Sequence, residues 1–315
     1  QNINVLCKGS RFPEFARGRR MQNVIYQIIS IVKYWKIFYS LDLIKTNQFS
    51  GAIYGYFLKK IFFKRLLIRM GYYHTIDVNR FISASRHRRS IRIEKFIFPK
   101  ADGIIVTKKG AKNYIHNNYD LSQVHLVVNS IDTSLFKPEY AQEKDIDILF
   151  VGRLDDVKNL EYLLREIKGE AYKVFFIGEG RLKSTLLEYA SQKIIDLKIV
   201  NRIDNSDLPS YYNRAKVFTL LSKWEGNPKS LLEAMACGCI SIGNDTDGIN
   251  NVITHSETGI IVNIVTNNLN KLLKNIMLKP NEYKHLAENG VKYVRSNYSI
   301  DELVIREANI YRELV

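Results

Sequence analysis

The sequence predicts an α/β protein of two Rossmann-like domains facing across a cleft, and three observations carry that prediction. The chain has 315 residues, a length that accommodates about two domains of roughly 150 residues each. Short apolar runs alternate with segments of helical periodicity, most regularly from Asp145 onward, as in an open parallel sheet covered on both faces. A polar, proline-bearing stretch, Lys137-Pro138-Glu139-Tyr140-Ala141-Gln142-Glu143-Lys144, separates a less regular first half from this second half. The expected division is residues 1–138, residues 139–297, and a C-terminal helix over 298–315 that packs back on the first domain.

Taken in order, the chain opens at Gln1 and soon enters a strand-like run, Ile3 to Cys7. That opening predicts a further N-terminal piece. Val24 to Phe38 is apolar but broken by Gln27, Lys33 and Lys36, which predicts an amphipathic or buried helix. Strands are expected over Asp42 to Lys45, Arg65 to Arg69, Gly103 to Thr107 and His125 to Val128. Helices are expected over Gly51 to Phe63 and Lys109 to Asn117.

In the second half, Ile146 to Val151 is a short apolar run that stops at Gly152 and reads as a buried parallel strand. Asn159 to Ile167 places Leu160, Leu163, Leu164 and Ile167 on one helical face. Further strands fit Val174 to Ile177, Leu197 to Val200, Val217 to Leu221, Cys239 to Ile242 and Gly259 to Val262. Helices fit Leu182 to Ala190, Leu208 to Arg214, Pro228 to Ala236 and Leu269 to Met277.

Charge is lopsided. Residues 1–140 hold about 24 Lys and Arg against about 8 Asp and Glu, and the rest of the chain is near neutral. Arg17, Arg19 and Arg20 form one cluster; Lys59, Lys60, Lys64 and Arg65 another; Arg86 to Arg89 with Arg92 a third. Such a field attracts a polyanion, either nucleic acid or an anionic membrane surface, and part of it serves equally as a solvated face. No run of 18 apolar residues and no secretory signal is present. Cys7, Cys237 and Cys239 lack the second pair or histidines that a zinc site needs, and read as buried apolar residues.

The chemistry gathers at three predicted strand ends. Gly152-Arg153-Leu154 is followed by Lys158, two cations within reach of a diphosphate, one a planar fork and one a point charge. Gly178-Glu179-Gly180 offers glycines that tolerate a close backbone approach, to a ligand or within a plain turn. The third is Trp224-Glu225-Gly226-Asn227-Pro228-Lys229-Ser230-Leu231-Leu232-Glu233. Here Asn227 is expected to cap a helix with Pro228 in its first position, leaving N–H groups of Lys229 and Ser230 for an anion. Glu225 and Glu233 flank that helix start as pure acceptors, suited to sugar hydroxyls. A ligand with both phosphate and hydroxyls, such as a nucleotide diphosphate sugar, answers this mixture.

These motifs resemble the retaining glycosyltransferases of family 4, which have the GT-B fold. Val151-Gly152-Arg153-Leu154 with Lys158-Asn159-Leu160 is similar to their first donor-domain loop, and Ile177-Gly178-Glu179-Gly180 to the second. Glu225 and Glu233 with Asn227-Pro228-Lys229 resemble the paired-glutamate motif. Gly248, Thr258-Gly259, Ala101-Asp102-Gly103-Ile104-Ile105-Val106 and Asn129 to Phe136 resemble further landmarks.

The resemblance implies roles. Arg153 and Lys158 would neutralise the diphosphate leaving group. Glu233 would accept from the ribose and Glu225 from the transferred sugar. N–H groups near Asn227, Pro228, Lys229 and Ser230 would meet phosphate or sugar. Arg202 and Ile203 would lie by the base, and Gly152, Gly178 and Gly180 would line the donor. His74 is the candidate for a histidine with which the family contacts the sugar. No metal and no cofactor are implied, and UDP-sugars are the commoner donors. The family's first strand and glycine-rich acceptor loop have no counterpart here, as expected if a segment is missing from the first domain. The implied activity is transfer of a hexosyl or N-acetylhexosaminyl group to a lipid-linked or polysaccharide acceptor in surface-glycan synthesis. The basic first domain would then dock on the cytoplasmic face of the inner membrane. The alternatives are a basic nucleic-acid-binding protein and a truncated relative that only binds donor.

Overall fold

The computed structural model describes residues 19–71, 84–119, 121–266 and 268–315. The expected strand at Ile3 to Cys7, Arg17 and His74 lie outside the described residues. The chain forms two compact units. The first takes in the described residues up to Ile105 with Tyr114–His125 and Tyr311–Val315; the second takes in Val106–Asn113 and Leu126–Ile310.

A four-stranded sheet runs in the order β1 (Leu43–Thr46), β2 (Arg65–Met70), β3 (Gly103–Val106), β4 (Val124–Leu126). Strands β1 and β2 are parallel, Leu43 opposite Arg65, and the helix Ala52–Phe62 makes their crossover. Leu66, Leu67 and Ile68 are fully buried. Gly55 lets that helix lie close to the strands, since a Cβ there would stand 2.8 Å from Leu66 Cδ1 and 2.9 Å from Thr46 Cγ2. Asp102 fastens the entry to β3. Its carboxylate accepts from Lys59 Nζ at 2.6 Å, Leu66 N at 2.7 Å and Arg65 Nη1 at 3.1 Å.

The single helix expected over Val24 to Phe38 is instead two, Arg19–Lys33 and Trp35–Ser40. Tyr34 breaks it with non-helical backbone angles (φ −114°, ψ 22°). Its apolar stripe also faces outward. Ile28 is 58% and Val32 72% exposed, while the polar Ser30 is buried against Tyr54, hydroxyl to hydroxyl at 2.6 Å. A helix not foreseen from the sequence, Ala84–Ile97, carries the third basic cluster.

The second unit is built on six parallel strands in the order β10-β9-β8-β5-β6-β7. These are β5 (Ile146–Val151), β6 (Val174–Ile177), β7 (Leu197–Val200), β8 (Ala215–Leu220), β9 (Ile240–Asn244) and β10 (Ile260–Val262). All five strand pairings are parallel. β5, β8 and β9 are almost wholly buried, as a sheet covered on both faces requires. Helices Leu160–Glu166, Lys183–Gln192, Leu208–Arg214, Lys229–Ala236 and Leu269–Leu278 fall within two residues of expectation. Beyond them the long helix Pro280–Tyr298 buries Leu286, Gly290, Val291, Val294 and Tyr298, and Ile300–Leu314 follows. Cys237 and Cys239 are buried free thiols, and burial pushes the Cys239 thiol up to about 11.

Candidate functional site

Strand order fixes where a ligand would sit. From β5 the chain steps outward through β6 and β7, then returns to place β8 on the other side of β5. Numbered along the unit, this is the 3-2-1-4-5-6 order of the doubly wound fold, whose switch point lies between its first and fourth strands. Ligands of such sheets bind beyond the carboxyl ends of the strands at that point. Those ends carry Gly152 to Lys158 after β5 and Leu221 to Pro228 after β8.

The two loops are joined by backbone and by charge. Lys223 N donates to Val157 O at 2.8 Å. Lys158 Nζ donates to Glu225 Oε1 at 2.5 Å, with both side chains largely buried. Ser222 Oγ donates to the same oxygen at 2.6 Å, and Asn244 Nδ2 holds Ser222 O at 3.0 Å. Gly248, in the short helix Asp247–Asn250 after β9, packs against this loop, and a Cβ there would lie 2.2 Å from Glu225 O.

Gly178 and Gly180 answer a backbone requirement. The loop after β6 runs against the loop after β5, with Gly152 N donating to Ile177 O at 3.0 Å and Leu154 N to Glu179 O at 2.9 Å. A Cβ on Gly178 would stand 1.9 Å from Gly152 O, and one on Gly180 would stand 2.2 Å from Leu154 O. The close approach that these glycines permit is therefore between two loops of the protein.

The helix Lys229–Ala236 departs from the expected capping. Pro228 is its N-cap residue, with extended backbone (φ −75°, ψ 110°), and no side chain caps it. Asn227 is not the cap because it sits one residue earlier. Its carbonyl accepts from Asn129 Nδ2 at 2.8 Å, and its buried Oδ1 makes no hydrogen bond within the protein. The first N–H groups of the helix thus keep the anion-attracting character of an uncapped terminus. Lys229 is exposed and Ser230 half-buried at that end.

Glu233, one turn into this helix, is buried. Tyr212 OH donates to its Oε2 at 2.9 Å. Burial pushes the Glu233 carboxyl above the usual carboxylate range, while the Tyr212 hydroxyl and the Lys229 charge draw it back. Arg153 is the opposite case: its side chain is 77% exposed and touches Asp155 Oδ2 at 3.3 Å. Arg202 is exposed after β7, and Ile203 packs partly on the core.

The structure thus brings together Lys158 with Glu225, and Gly152 with Gly178 and Gly180. It holds Glu233 on Tyr212 and leaves Arg153, Arg202 and Lys229 reaching outward. Ser222 and Tyr212 are functional candidates that sequence reasoning missed, since a serine and a helical tyrosine carry no motif of their own. Asp155 Oδ1, Asn159 Nδ2, Asn227 Oδ1 and Thr246 Oγ1 are buried at or just after these strand ends without a hydrogen bond in the protein. Such atoms call for an explanation, a polar ligand among them. Among the described residues no group of three or more His, Cys, Asp or Glu is placed to hold a metal ion.

Comparison with known proteins bears on the family and the fold. The family model described as "Glycosyl transferases group 1" matches residues 132–293. A relative in Campylobacter jejuni, N-acetylgalactosamine-N,N'-diacetylbacillosaminyl-diphospho-undecaprenol 4-alpha-N-acetylgalactosaminyltransferase, is 27% identical over 207 residues. That match spans 62% of this chain and 56% of the relative, so the chain covers little more than half of that protein. The amylovoran biosynthesis glycosyltransferase AmsD of Erwinia amylovora is 24% identical over 85% of this chain and 81% of its own. Among solved structures, sucrose-phosphate synthase of Thermosynechococcus elongatus superposes with a TM-score of 0.80 at 22% identity, covering 97% of this chain and 82% of its own. Anabaena HepE in complex with UDP and glucose gives 0.76 at 14% identity, covering 90% and 81%. At these identities the structural likeness shows the fold, two Rossmann-like domains of the GT-B type.

Proposed function

The chain belongs to the group 1 glycosyl transferases, and on that premise we propose that it moves a sugar from a nucleotide diphosphate sugar to a lipid-linked or polysaccharide acceptor. The observation that carries this reading is the Lys158–Glu225 pair at the switch point of the six-stranded sheet, beside the uncapped start of Lys229–Ala236. A cation, a hydroxyl acceptor and free N–H donors in one place suit a ligand that is part diphosphate and part polyol. Names of relatives support the acceptor: the Campylobacter protein's contains a diphospho-undecaprenol, and the Erwinia protein's refers to amylovoran biosynthesis.

In this mechanism Arg153 and Lys158 stabilise charge as it develops on the departing diphosphate, where electrostatic stabilisation is worth most. Glu225 accepts from hydroxyls of the transferred sugar, Glu233 from the ribose, and the N–H groups of Lys229 and Ser230 hold phosphate. Arg202 and Ile203 flank the base, and the glycine loops at Gly152, Gly178 and Gly180 form the floor. The two cations do what a divalent ion does elsewhere, so the proposed transfer is independent of metal; retention of anomeric configuration is what the resemblance to family 4 implies. A hexosyl or N-acetylhexosaminyl group and a UDP donor are the expected specificities.

The excess of Lys and Arg over residues 1–140, with Lys33, Lys36 and Lys60 exposed, supports docking on the anionic cytoplasmic face of a membrane. No helix among the described residues is long and apolar enough to cross one. The test is thermal stability against UDP-, GDP- and ADP-sugars, with liposomes in parallel. One nucleotide class should raise the midpoint progressively with concentration, and anionic vesicles should bind the protein with affinity that falls with salt. No response to any donor, with salt-dependent binding to RNA instead, would overturn the reading.

A further inference from the structure

We propose that Tyr212 is a positioning residue for Glu233, fixing which carboxylate oxygen is presented to the donor's hydroxyls. The inference rests on the assignment of Glu233 to the donor site and adds a residue outside the paired-glutamate motif.

The geometry is specific. Tyr212 comes from the helix Leu208–Arg214 and Glu233 from Lys229–Ala236. The phenol is fully buried, with its ring edge-on to Phe136 and Phe218 at centroid distances of 6.0 and 5.9 Å. Backbone holds it as well: Cys239 Sγ donates to Tyr212 O at 3.1 Å. A ring so fixed presents its hydroxyl at one point, where it donates to Glu233 Oε2 at 2.9 Å. Burial and the neighbouring carboxylate raise the phenol well above its ordinary value, so it stays a donor at any working pH. Among the described residues the other oxygen, Oε1, makes no hydrogen bond.

A carboxylate has roughly four acceptor positions on two oxygens. By occupying Oε2, Tyr212 locks the rotamer and leaves Oε1 for ligand hydroxyls. It also favours the ionised form of a carboxyl that burial pushes toward neutrality, and the ionised form is purely an acceptor at both oxygens.

The test is Tyr212→Phe, which keeps the ring and removes the hydroxyl, measured beside Glu233→Gln in the full chain. Donor KM, kcat and the thermal midpoint are followed across pH. With Tyr212→Phe, donor KM should rise about tenfold with kcat changed less, consistent with loss of a hydrogen bond to a charged group. The acid limb of kcat/KM should move to higher pH, because the carboxyl loses the donor that lowers its pKa. An unchanged KM and acid limb overturns the proposal, as does a loss equal at every pH with a lowered midpoint, the mark of packing alone. Glu233→Gln separates the two readings. If it is inert as well, the donor role of Glu233 itself falls; if it alone is impaired, that role stands and only Tyr212 is excluded.

Discussion

Lys158 Nζ and Glu225 Oε1 meet at 2.5 Å across the switch point of the six-stranded sheet, with both side chains more than four-fifths buried. The leaving-group cation and the sugar-binding carboxylate of the proposed mechanism are therefore paired with each other. Each is positioned by the other, and a donor that engages both must share or part them. Arg153, 77% exposed on the same loop, has no such constraint.

Stability should separate these two cations. Lys158→Ala strands a largely buried carboxylate whose remaining donor is Ser222, at an expected cost of about 2 kcal/mol, the range for a hydrogen bond to a charged group. Arg153→Ala removes an exposed contact and should change stability by less than about 0.5 kcal/mol. Both should abolish transfer. Urea unfolding beside a transfer assay tests the pair; an equal loss of stability in both would show that the Lys158–Glu225 bond contributes little.

Much of this was legible in the sequence because the second unit obeys local rules. Ile146–Val151, Val174–Ile177, Leu197–Val200 and Leu208–Arg214 have the bounds that their apolar runs and periodicity indicate. The strand-end location of Arg153, Glu225 and the glycines followed from the same alternation. What escaped was set by tertiary context. Ala84–Ile97 is dominated by charge, and its sparse apolar residues hid a helix. Pro280–Tyr298 buries a narrow stripe that includes a glycine, Gly290. The helix Lys229–Ala236 begins one residue later than expected, with Pro228 rather than Asn227 at its N-cap. The outward face of Arg19–Lys33 inverts the usual rule that an apolar stripe points inward.

The loop glycines differ in what they tolerate. Gly178→Ala places a methyl 1.9 Å from the Gly152 carbonyl oxygen, and backbone atoms on both sides have nowhere to yield. A loss of about 3 kcal/mol is expected, at the upper end for overpacked sites. Gly169→Ala meets open space but retains a positive φ of 81°, which should cost about 1 kcal/mol. Chemical denaturation of the two variants decides it. Comparable midpoints would mean that the loop pair after β5 and β6 opens more easily than its hydrogen bonds indicate.

Asp102 should make the first unit acid-sensitive. Burial raises its carboxyl, but Lys59, the Leu66 N–H and Arg65 together hold it below the usual range. A depressed carboxylate adds stability that is present above its unfolded pKa and is lost as pH falls through the folded value. Asp102→Asn should therefore cost about 2 kcal/mol at pH 7 and progressively less below pH ~4. A variant whose deficit is constant from pH 7 to pH 3 would exclude the linkage.

Glu233 should behave in the reverse sense. Its carboxyl is raised by burial, so the folded state holds a proton that the unfolded state has already released. Stability contributed by this group then grows as pH falls through the folded pKa and is weakest once the carboxylate is ionised. Glu233→Gln removes the buried charge while leaving an amide oxygen for Tyr212 OH. The variant should match or exceed the parent's thermal midpoint at pH 7, lose that advantage as pH falls toward the unfolded carboxylate range near ~4.3, and transfer no sugar. Such a gain in stability with a loss of activity is what a charge buried for binding entails. Calorimetry of parent and variant across that range measures it. A midpoint several degrees below the parent at pH 7 would mean that the carboxylate, for all its burial, is held there by contacts that favour its charge.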